Sequence, residues 1–334
     1  MTSAPDTVPL PSGERIPLLG QGTWHIGDHP RRRADEIAAL RRGLDLGMTV
    51  VDTAEMYGNG ASEELVGEAI AGRRDEVFLV SKVLPGHADR SGTIAACEAS
   101  LRRLGTDRLD LYLLHWRGRI PLEETLEAFA ELTESGKIRH WGVSNFDASD
   151  MTDLVAIPGG DGVAVNQVLY NLTRRGVEYD LMPWCHRRDI PLMAYSPIEQ
   201  GRLPRSGALR EIARAHDATP AQVALAWVLR QGVAAIPKAG RVDHVEENRA
   251  ALDLELTPED LDALDRAFPR PRGPCPSRSF EPEILGCFGR TGFTYAGLTR
   301  LSRDAGAADL TYTGRGSAAA PRSRPPATAP HAAP

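Results

Sequence analysis

The sequence predicts an α/β protein whose core is a (β/α)8 TIM barrel followed by a disordered C-terminal tail. Eight short apolar runs alternate with segments of helical periodicity along the chain. The runs are almost continuously apolar, which is typical of parallel strands covered on both faces. Together the apolar runs and the helical segments that follow them span about 250 residues, the usual size of such a barrel. We therefore expect a barrel over residues 1–270 and an irregular, largely disordered extension over residues 271–334.

Each apolar run is a candidate strand. The runs are residues 18–24, 49–54, 77–82, 109–115, 139–145, 163–168, 191–196 and 233–238. The competing fold is an open, doubly wound sheet, whose usual fingerprint after the first strand is GxGxxG. Gly20 and Gly22 supply the first two glycines, but His25 occupies the third position. The barrel is therefore the favoured architecture.

Helical periodicity and helix-stop signals mark the segments between the runs. The predicted helices are residues 32–47, 62–72, 93–105, 121–136, 206–216, 219–232, 243–253 and 257–268. Ser62 is the expected N-cap of the second helix. Thr219-Pro220 and Thr257-Pro258 are cap-then-proline starts.

Composition restricts the class of protein. The formal net charge of -6 over 334 residues lacks the basic excess of a nucleic-acid-binding surface. No apolar run approaches the ~20 residues of a membrane span, and the first residues lack the features of a secretory signal. The four cysteines show no CxxC spacing, which indicates reduced thiols. We expect a cytoplasmic monomer that binds neither nucleic acid nor membrane and has no metal site.

Polar residues stand at the predicted strand ends. In a barrel these ends converge on one site, whatever their separation in sequence. A single polar residue at such a position is common, because strands often end where the chain meets water. Seven in succession favour a functional site: Asp52, Lys82, His115, Asn145, Gln167, Ser196 and Lys238.

Longer motifs surround these positions. They are GTW (22–24), DTAEMYGNGASEELVGEAI (52–70), VSK (80–82), LLHW (113–116), GKIRHWGVSNF (136–146), NQVLYN (166–171), AYSP (194–197) and IPKAGRVDHVEEN (236–248). In content and order they resemble the aldo-keto reductase superfamily, close to bacterial aldehyde, methylglyoxal or diketo-gluconate reductases. The resemblance covers roughly residues 8–270. It implies NADPH-dependent reduction of aldehydes or small ketones, including α-dicarbonyls such as methylglyoxal, to alcohols.

The resemblance and the chemistry agree on four catalytic residues. Carbonyl reduction needs a hydride for the carbon and a proton for the oxygen, and Tyr57 is the expected proton donor. A free phenol has a pKa of about 10, and the Lys82 ammonium is expected to lower it. Asp52 would hold Lys82 charged, and His115 would hydrogen-bond the carbonyl oxygen. The structural alternatives are that Tyr57 is a loop anchor, Asp52 a helix cap and His115 a core histidine.

A diffusible nicotinamide is the expected hydride source, since no flavin, thiamine or metal motif is visible. NADPH is favoured because of Lys238, and NADH remains possible. Many relatives carry Arg where this chain has His244, a departure for which Arg241 could compensate. By resemblance the cofactor contacts are Gly22, Thr23, Asp52, Ser144, Asn145, Gln167, Tyr195, Ser196, Pro197, Ile198, Gln200, Gly201, Ile236, Lys238, His244, Glu247 and Asn248.

The sequence leaves the identity of the substrate and the nature of the C-terminal tail undetermined. The resemblance places Trp24, Tyr57, His115 and Trp116 around the substrate. Relatives also use a C-terminal loop for specificity, and here that loop gives way to CPSRSFEPEILGCFGRTG. An altered reading frame would account for this departure. The alternatives to an active reductase are a cofactor-binding regulatory or scaffold protein on the same barrel and a substrate-impaired reductase.

Overall fold

The computed structural model describes residues 7–204 and 206–273 of the chain. Its core is an eight-stranded parallel sheet in which the strands stand in sequence order. After an antiparallel hairpin of β1 (Thr7–Pro9) and β2 (Arg15–Pro17), the barrel strands are β3 (Gln21–Gly22), β4 (Val50–Asp52), β5 (Phe78–Val83), β6 (Leu109–Leu114), β7 (Ile138–Ser144), β8 (Asn166–Leu169), β9 (Leu192–Tyr195) and β10 (Ala234–Ile236).

The first and last strands close the sheet into a barrel. The amide of Gly20 donates to Ala235 O at 2.8 Å, and that of Gly22 donates to Pro237 O at 3.1 Å. A parallel bridge also joins Gly22 to Lys238. The predicted barrel is confirmed, and an open sheet is excluded because its two edges would stay unpaired.

Glycine is required at the closing seam. A Cβ added to Gly22 would lie 2.6 Å from the carbonyl oxygen of Ile236, closer than real Cβ atoms approach. The obstacle is backbone on the neighbouring strand, so a side chain could not move it aside. Gly22 therefore lets β3 and β10 approach closely enough to close the barrel.

Ten helices are described around the strands. They are α1 (Arg33–Asp45), α2 (Ala61–Ile70), α3 (Arg90–Leu104), α4 (Leu122–Glu134), α5 (Ala148–Ala156), α6 (Leu181–His186), α7 (Gly207–Ala215), α8 (Pro220–Arg230), α9 (Val242–Ala250) and α10 (Pro258–Ala267). Thr219 and Thr257 are the N-caps of α8 and α10 and are each followed by proline, as predicted, and each also forms a capping box.

Three local features differ from the sequence-based expectation. Helices α5 and α6 were not predicted. The expected N-cap Ser62 lies inside α2, whose N-cap is Gly60 at φ 94°. The Ser62 hydroxyl is instead buried and donates to Thr23 Oγ1 at 2.8 Å. Tertiary contact with Thr23, directly after β3, therefore outweighs a local cap at this position.

The β1–β2 hairpin was also not predicted, and its turn residue Glu14 attaches it to the barrel. Glu14 accepts hydrogen bonds from Arg139 at 2.9 Å and from His140 at 2.7 Å, both on β7. Arg139 also bonds Asp110 on β6 at 2.9 Å. The hairpin is thereby joined to the N-terminal half of two central strands.

The chain divides into two units, Met1–Gly289 and Arg290–Pro334. The described part of the first unit is the barrel, whereas the second unit lies outside the described residues. The predicted disordered tail, residues 271–334, also lies outside them beyond residue 273, as do Cys275 and Cys287. Cys97 and Cys185 are buried free thiols. Among the described helices, none is both long and apolar enough to cross a bilayer.

Candidate active site

The four residues predicted to be catalytic lie together at the carboxyl end of the barrel. Asp52 ends β4, Lys82 is the penultimate residue of β5, and His115 directly follows β6. Tyr57 begins a short turn in the loop after β4. Lys82 Nζ lies 2.7 Å from Asp52 Oδ1 and 3.1 Å from Tyr57 Oη. The Tyr57 and His115 rings pack edge to face, with centroids 5.9 Å apart.

The contacts of Lys82 favour its protonated form. This fully buried side chain donates to Asp52 Oδ1, to Tyr57 Oη and, at 2.8 Å, to the carbonyl oxygen of Thr53. Three donated bonds use all the N–H groups of an ammonium, and one of them goes to the Asp52 carboxylate, whose negative charge favours the charged form. Burial lowers the pKa of Lys82 and raises that of Asp52, and their ion pair opposes both shifts.

The pKa of Tyr57 corrects one expectation. Burial, followed by the Asp52 carboxylate, raises the pKa of this phenol well above its ordinary value. The expected lowering by Lys82 is wrong. The Lys82 ammonium is already paired with Asp52, so its attraction for a phenolate is smaller than the free-energy cost of burying that phenolate. Tyr57 is therefore a protonated phenol near neutrality. Its oxygen accepts from Lys82, and its own hydrogen has no acceptor among the described residues.

His115 is held neutral. Burial, followed by the charge of Lys82, lowers the pKa of its imidazole well below the ordinary value. Its backbone is fixed on both sides, with the amide donating to Val83 O at 2.9 Å and the carbonyl accepting from Asn145 Nδ2 at 3.0 Å. Within the described part of the chain, the buried Nδ1 has no hydrogen-bond partner. The other ring nitrogen, Nε2, would then face a carbonyl oxygen in the proposed mechanism.

The residues predicted to hold the nicotinamide form a connected cluster beside Asp52. Ser144 and Gln167 face each other on paired strands, and Gln167 Nε2 donates to Asp52 Oδ2 at 2.7 Å. Asn145 Nδ2 donates to Ser144 Oγ at 3.1 Å, and Tyr195 Oη donates to Asn145 Oδ1 at 2.8 Å. Gln167 is the second residue of β8 and not its end, which corrects the predicted strand boundary.

The loop after β9 contains the predicted pyrophosphate contacts, Ser196, Pro197, Ile198, Gln200 and Gly201. It follows an unusual path, with positive φ at Ser196 (49°), Glu199 (49°) and Gln200 (54°). Glu199 was not predicted, yet it anchors the loop through Arg174 at 2.9 Å and Asn171 at 2.8 Å. Burial opposes ionisation of Glu199, but these two partners leave its pKa below the ordinary value.

Lys238 lies on the rim two strands from Asp52. Gly22 connects them, because it pairs with Asp52 on one side and bridges to Lys238 on the other. Lys238 is exposed and its ammonium lies over Gly240, where an added Cβ would meet Nζ at 3.5 Å. The adjacent helix α9 begins at Val242. An ammonium beside a helix N-terminus suits a phosphate group.

The remaining predicted cofactor residues have mixed accessibility. His244 is exposed on α9, whereas Asn248 and Ile236 are buried. Glu247 accepts from the hydroxyl of Thr219 at 2.5 Å. Thr23 is buried, and its hydroxyl donates to Asp52 O at 2.9 Å, so this side chain stabilises the barrel. Arg241, the expected substitute for an arginine at 244, is paired with Asp243 at 2.7 Å.

Four rings form a continuous aromatic surface at the site. Trp24 and Tyr57 have centroids 4.9 Å apart, and His115 and Trp116 have centroids 5.0 Å apart. The contact between Tyr57 and His115 joins the two pairs. Trp24 is 38% exposed, which places it at the mouth of the site. All the residues predicted to surround the substrate are therefore contiguous.

Two further residues at the site were not predicted. Thr53 acts through its backbone carbonyl, which no side-chain pattern reveals. Glu55 accepts from the amide of Leu84 at 2.7 Å, a contact between two loops that sequence spacing does not show. No group of His, Cys, Asp or Glu in the described part of the chain is arranged to hold a metal ion.

Comparison with known proteins places the chain in a family. The model of the aldo/keto reductase family matches residues 18–268. Methylglyoxal reductase YeaE of Escherichia coli (strain K12) is 54% identical over 264 residues, which cover 77% of this chain and 93% of that protein. Glyoxal reductase of Bacillus subtilis (strain 168) is 37% identical over 267 residues, which cover 79% of this chain and 93% of that protein.

Solved structures agree with this match. The crystal structure of an aldo/keto reductase from Klebsiella pneumoniae in complex with NADP and acetate has a TM-score of 0.79 and 51% sequence identity. The similarity covers 82% of this chain and 99% of that chain. The sequence-based resemblance is confirmed. Because the matched region contains the whole described barrel from β3 to α10 and the site at its rim, the chain belongs to the aldo/keto reductase family.

Proposed function

We propose that the chain is an NADPH-dependent reductase of aldehydes and small ketones, with α-dicarbonyls such as methylglyoxal as its preferred class. The observation that carries the proposal is the contact of one buried ammonium, Lys82, with both Asp52 and Tyr57. Relatives named methylglyoxal reductase and glyoxal reductase support the substrate class. A Klebsiella pneumoniae relative crystallised with NADPH supports the cofactor.

Tyr57 and Lys82 together handle the proton. Bound NADPH supplies the hydride that the carbonyl carbon receives. Tyr57 is protonated and has its hydrogen available, so it donates to the carbonyl oxygen as negative charge develops there. The phenolate left behind forms 3.1 Å from the Lys82 ammonium, which stabilises it. Asp52 keeps Lys82 charged and directed at the phenol.

His115 orients the carbonyl. A neutral imidazole donates one hydrogen bond without placing a second cation beside Lys82. Its depressed pKa therefore suits it to position a carbonyl oxygen against Tyr57. The rings of Trp24 and Trp116 flank Tyr57 and His115, so an aromatic surface borders the place proposed for a small carbonyl substrate.

The rim fits a phosphorylated dinucleotide. Lys238 and the start of α9 provide an ammonium and backbone amides at the same place, which suits the 2′-phosphate of NADPH. The Asp243 carboxylate partly neutralises Arg241. Discrimination against NADH consequently depends on Lys238, with His244 as a weaker contributor. The ratio of kcat/KM for NADPH to that for NADH measures this directly, and a preference for NADH would refute the assignment.

The decisive experiment is NADPH oxidation by the purified chain against a panel of aldehydes, α-dicarbonyls and sugars. We expect turnover with methylglyoxal and glyoxal above that with sugars. Tight NADPH binding with no turnover of any carbonyl would instead support a regulatory or scaffold protein. The proposal also includes a cytoplasmic monomer without affinity for nucleic acid, which size-exclusion chromatography and fractionation would test.

A further inference from the structure

Glu55 joins the two loops that carry the proton-handling residues. It lies two residues before Tyr57 in the loop after β4. Its Oε1 accepts from the amide of Leu84 at 2.7 Å and contacts Nδ1 of His87 at 3.0 Å. Leu84 is two residues beyond Lys82, in the loop after β5. One carboxylate oxygen therefore bridges the loop of the proton donor and the loop that follows the ammonium.

The bridge is largely shielded from solvent. The Glu55 side chain is 10% exposed, whereas that of His87 is 53% exposed. The His87 loop is itself anchored, since Thr93 Oγ1 donates to His87 O at 3.1 Å and Thr125 Oγ1 donates to Ala88 O at 2.7 Å. Glu55 thus binds to a fixed segment of backbone.

The backbone of the turn after Tyr57 needs contacts from outside the turn to keep its conformation. Gly58, Asn59 and Gly60 all adopt positive φ, at 55°, 54° and 94°. Three successive left-handed residues are uncommon, and the non-glycine Asn59 is strained there. Such a turn is stable only when its surroundings hold it. Glu55 provides one such contact, because it binds the Leu84 amide in the loop that follows Lys82.

The distance from Tyr57 to Lys82 depends on that contact. The contacts of Lys82 with Asp52 and Thr53 fix the strand end before the loop, whereas the phenol is positioned by its own loop and by the rings of Trp24 and His115. At 3.1 Å, the bond from Lys82 to Tyr57 is at the long end of the normal range. A small shift of the loop would break it.

We infer that Glu55 is a positioning residue, which holds the Tyr57 loop against the β5 loop and so sets the contact between Tyr57 and Lys82. This role rests on the proposed reductase function. It is distinct from substrate or cofactor binding, because the Glu55 carboxylate is engaged by Leu84 and His87.

The test compares Glu55→Ala, Glu55→Gln and the wild-type full-length chain. In Glu55→Ala we expect kcat to fall by up to about 100-fold, the loss that a misplacement of about 1 Å can cause. KM and the Kd for NADPH should stay within about twofold, because Glu55 Oε1 is already engaged by Leu84 and His87 and a positioning role leaves ligand binding unchanged. Glu55→Gln keeps an oxygen that accepts from Leu84 and should retain most activity. The matched control is Glu64→Ala, at an exposed glutamate in the first turn of α2.

Hydrogen–deuterium exchange at the Leu84 amide gives a readout that needs no turnover. We expect this amide to lose protection in Glu55→Ala and to keep it in Glu55→Gln and Glu64→Ala. An active wild type with unchanged kcat in Glu55→Ala overturns the positioning role, as does an equal loss in Glu55→Gln. A wild type without turnover removes the proposed function and with it this catalytic role, while exchange still reports whether the bridge exists.

Discussion

In the proposed mechanism, Tyr57 is the residue on which proton transfer depends. Tyr57→Phe removes the hydroxyl and leaves the ring contacts with Trp24 and His115 in place. We expect kcat for carbonyl reduction to fall by about 10²- to 10⁴-fold, the usual contribution of a positioned acid. Fluorescence titration should show NADPH binding near the wild-type affinity. Tyr179→Phe, at an exposed tyrosine on the outer surface, is the control and should be fully active.

His115 gives a prediction about stability and pH. Its folded-state pKa lies well below the ordinary value of about 6.5, so below that pH the unfolded chain binds a proton that the folded chain does not. Stability from this residue is therefore present above about pH 6.5 and is lost as the pH falls, by at most about 1.4 kcal/mol per unit. Urea unfolding of the wild type and His115→Gln from pH 7.5 down to pH 5 measures the difference. Parallel stability curves would contradict the buried, neutral imidazole.

The sequence predicts the identity of the site residues better than their state. Side chains at strand ends follow from the barrel, so Asp52, Lys82 and His115 are predictable before any coordinates are known. The degree of burial around Tyr57 is not, since it depends on rings contributed by other loops. For that reason the expected direction of its pKa shift was wrong. Glu55 was missed because its partner is a backbone amide on a different loop.

At the scale of elements, the closing seam between β3 and β10 is the most constrained contact. In Gly22→Ala the new Cβ would press on Ile236 O, and overpacking of this kind costs about 1–3 kcal/mol. We expect a lower urea midpoint and weaker NADPH binding, because Gly22 also pairs with Asp52 and bridges to Lys238.

The matched control for this seam is Gly207→Ala. Gly207 is the first residue of α7 and has open space where a Cβ would stand. The same substitution there should be neutral or should stabilise the folded chain by up to about 1 kcal/mol. An equal loss of stability in both variants would argue against a specific clash at the seam.

Two helices escaped prediction for local reasons. Helix α5 has a sparse apolar stripe, with Met151 and Leu154 as its buried apolar residues, although Asp147 caps it well. Helix α6 has six residues and contains Pro183, which reads as a turn in sequence. Proline is tolerated in the first turn because amides there lack intrahelical partners. The strands were predicted within a few residues because their apolar runs, although short, are almost continuous.

At the scale of the whole molecule, the end of the described barrel is firmly attached. Arg175 is buried and donates to Phe268 O at 2.6 Å and to Asp265 at 2.7 Å. Its guanidinium also stacks over the ring of Trp227, with 4.8 Å from its carbon to the ring centroid. These contacts hold α10 and the residues after it against the loop that follows β8. We therefore expect the barrel to fold without the residues beyond 273.

A chain shortened to end at residue 273 tests this directly. We expect a single unfolding transition with a midpoint close to that of the full chain and an unchanged Kd for NADPH. The relative rates with different carbonyls report whether the removed segment contributes to specificity. A chain ending at residue 256 lacks α10 and its contacts with Arg175, and it should unfold more easily. A strongly destabilised 273-residue chain would contradict a barrel complete near residue 270.

The seam between Gly22 and Ile236 also has a consequence for how the protein matures. Its two segments come from the beginning and the end of the barrel sequence, so the contact that adjoins Asp52 and Lys238 is among the last that a growing polypeptide can make. Long-range closure of this kind is slow, because chain entropy must be lost before the contact forms. If the dinucleotide binds at the proposed site, a nascent chain synthesised only as far as β9 lacks part of that site. We then expect affinity for the cofactor to appear only after β10 has left the ribosome.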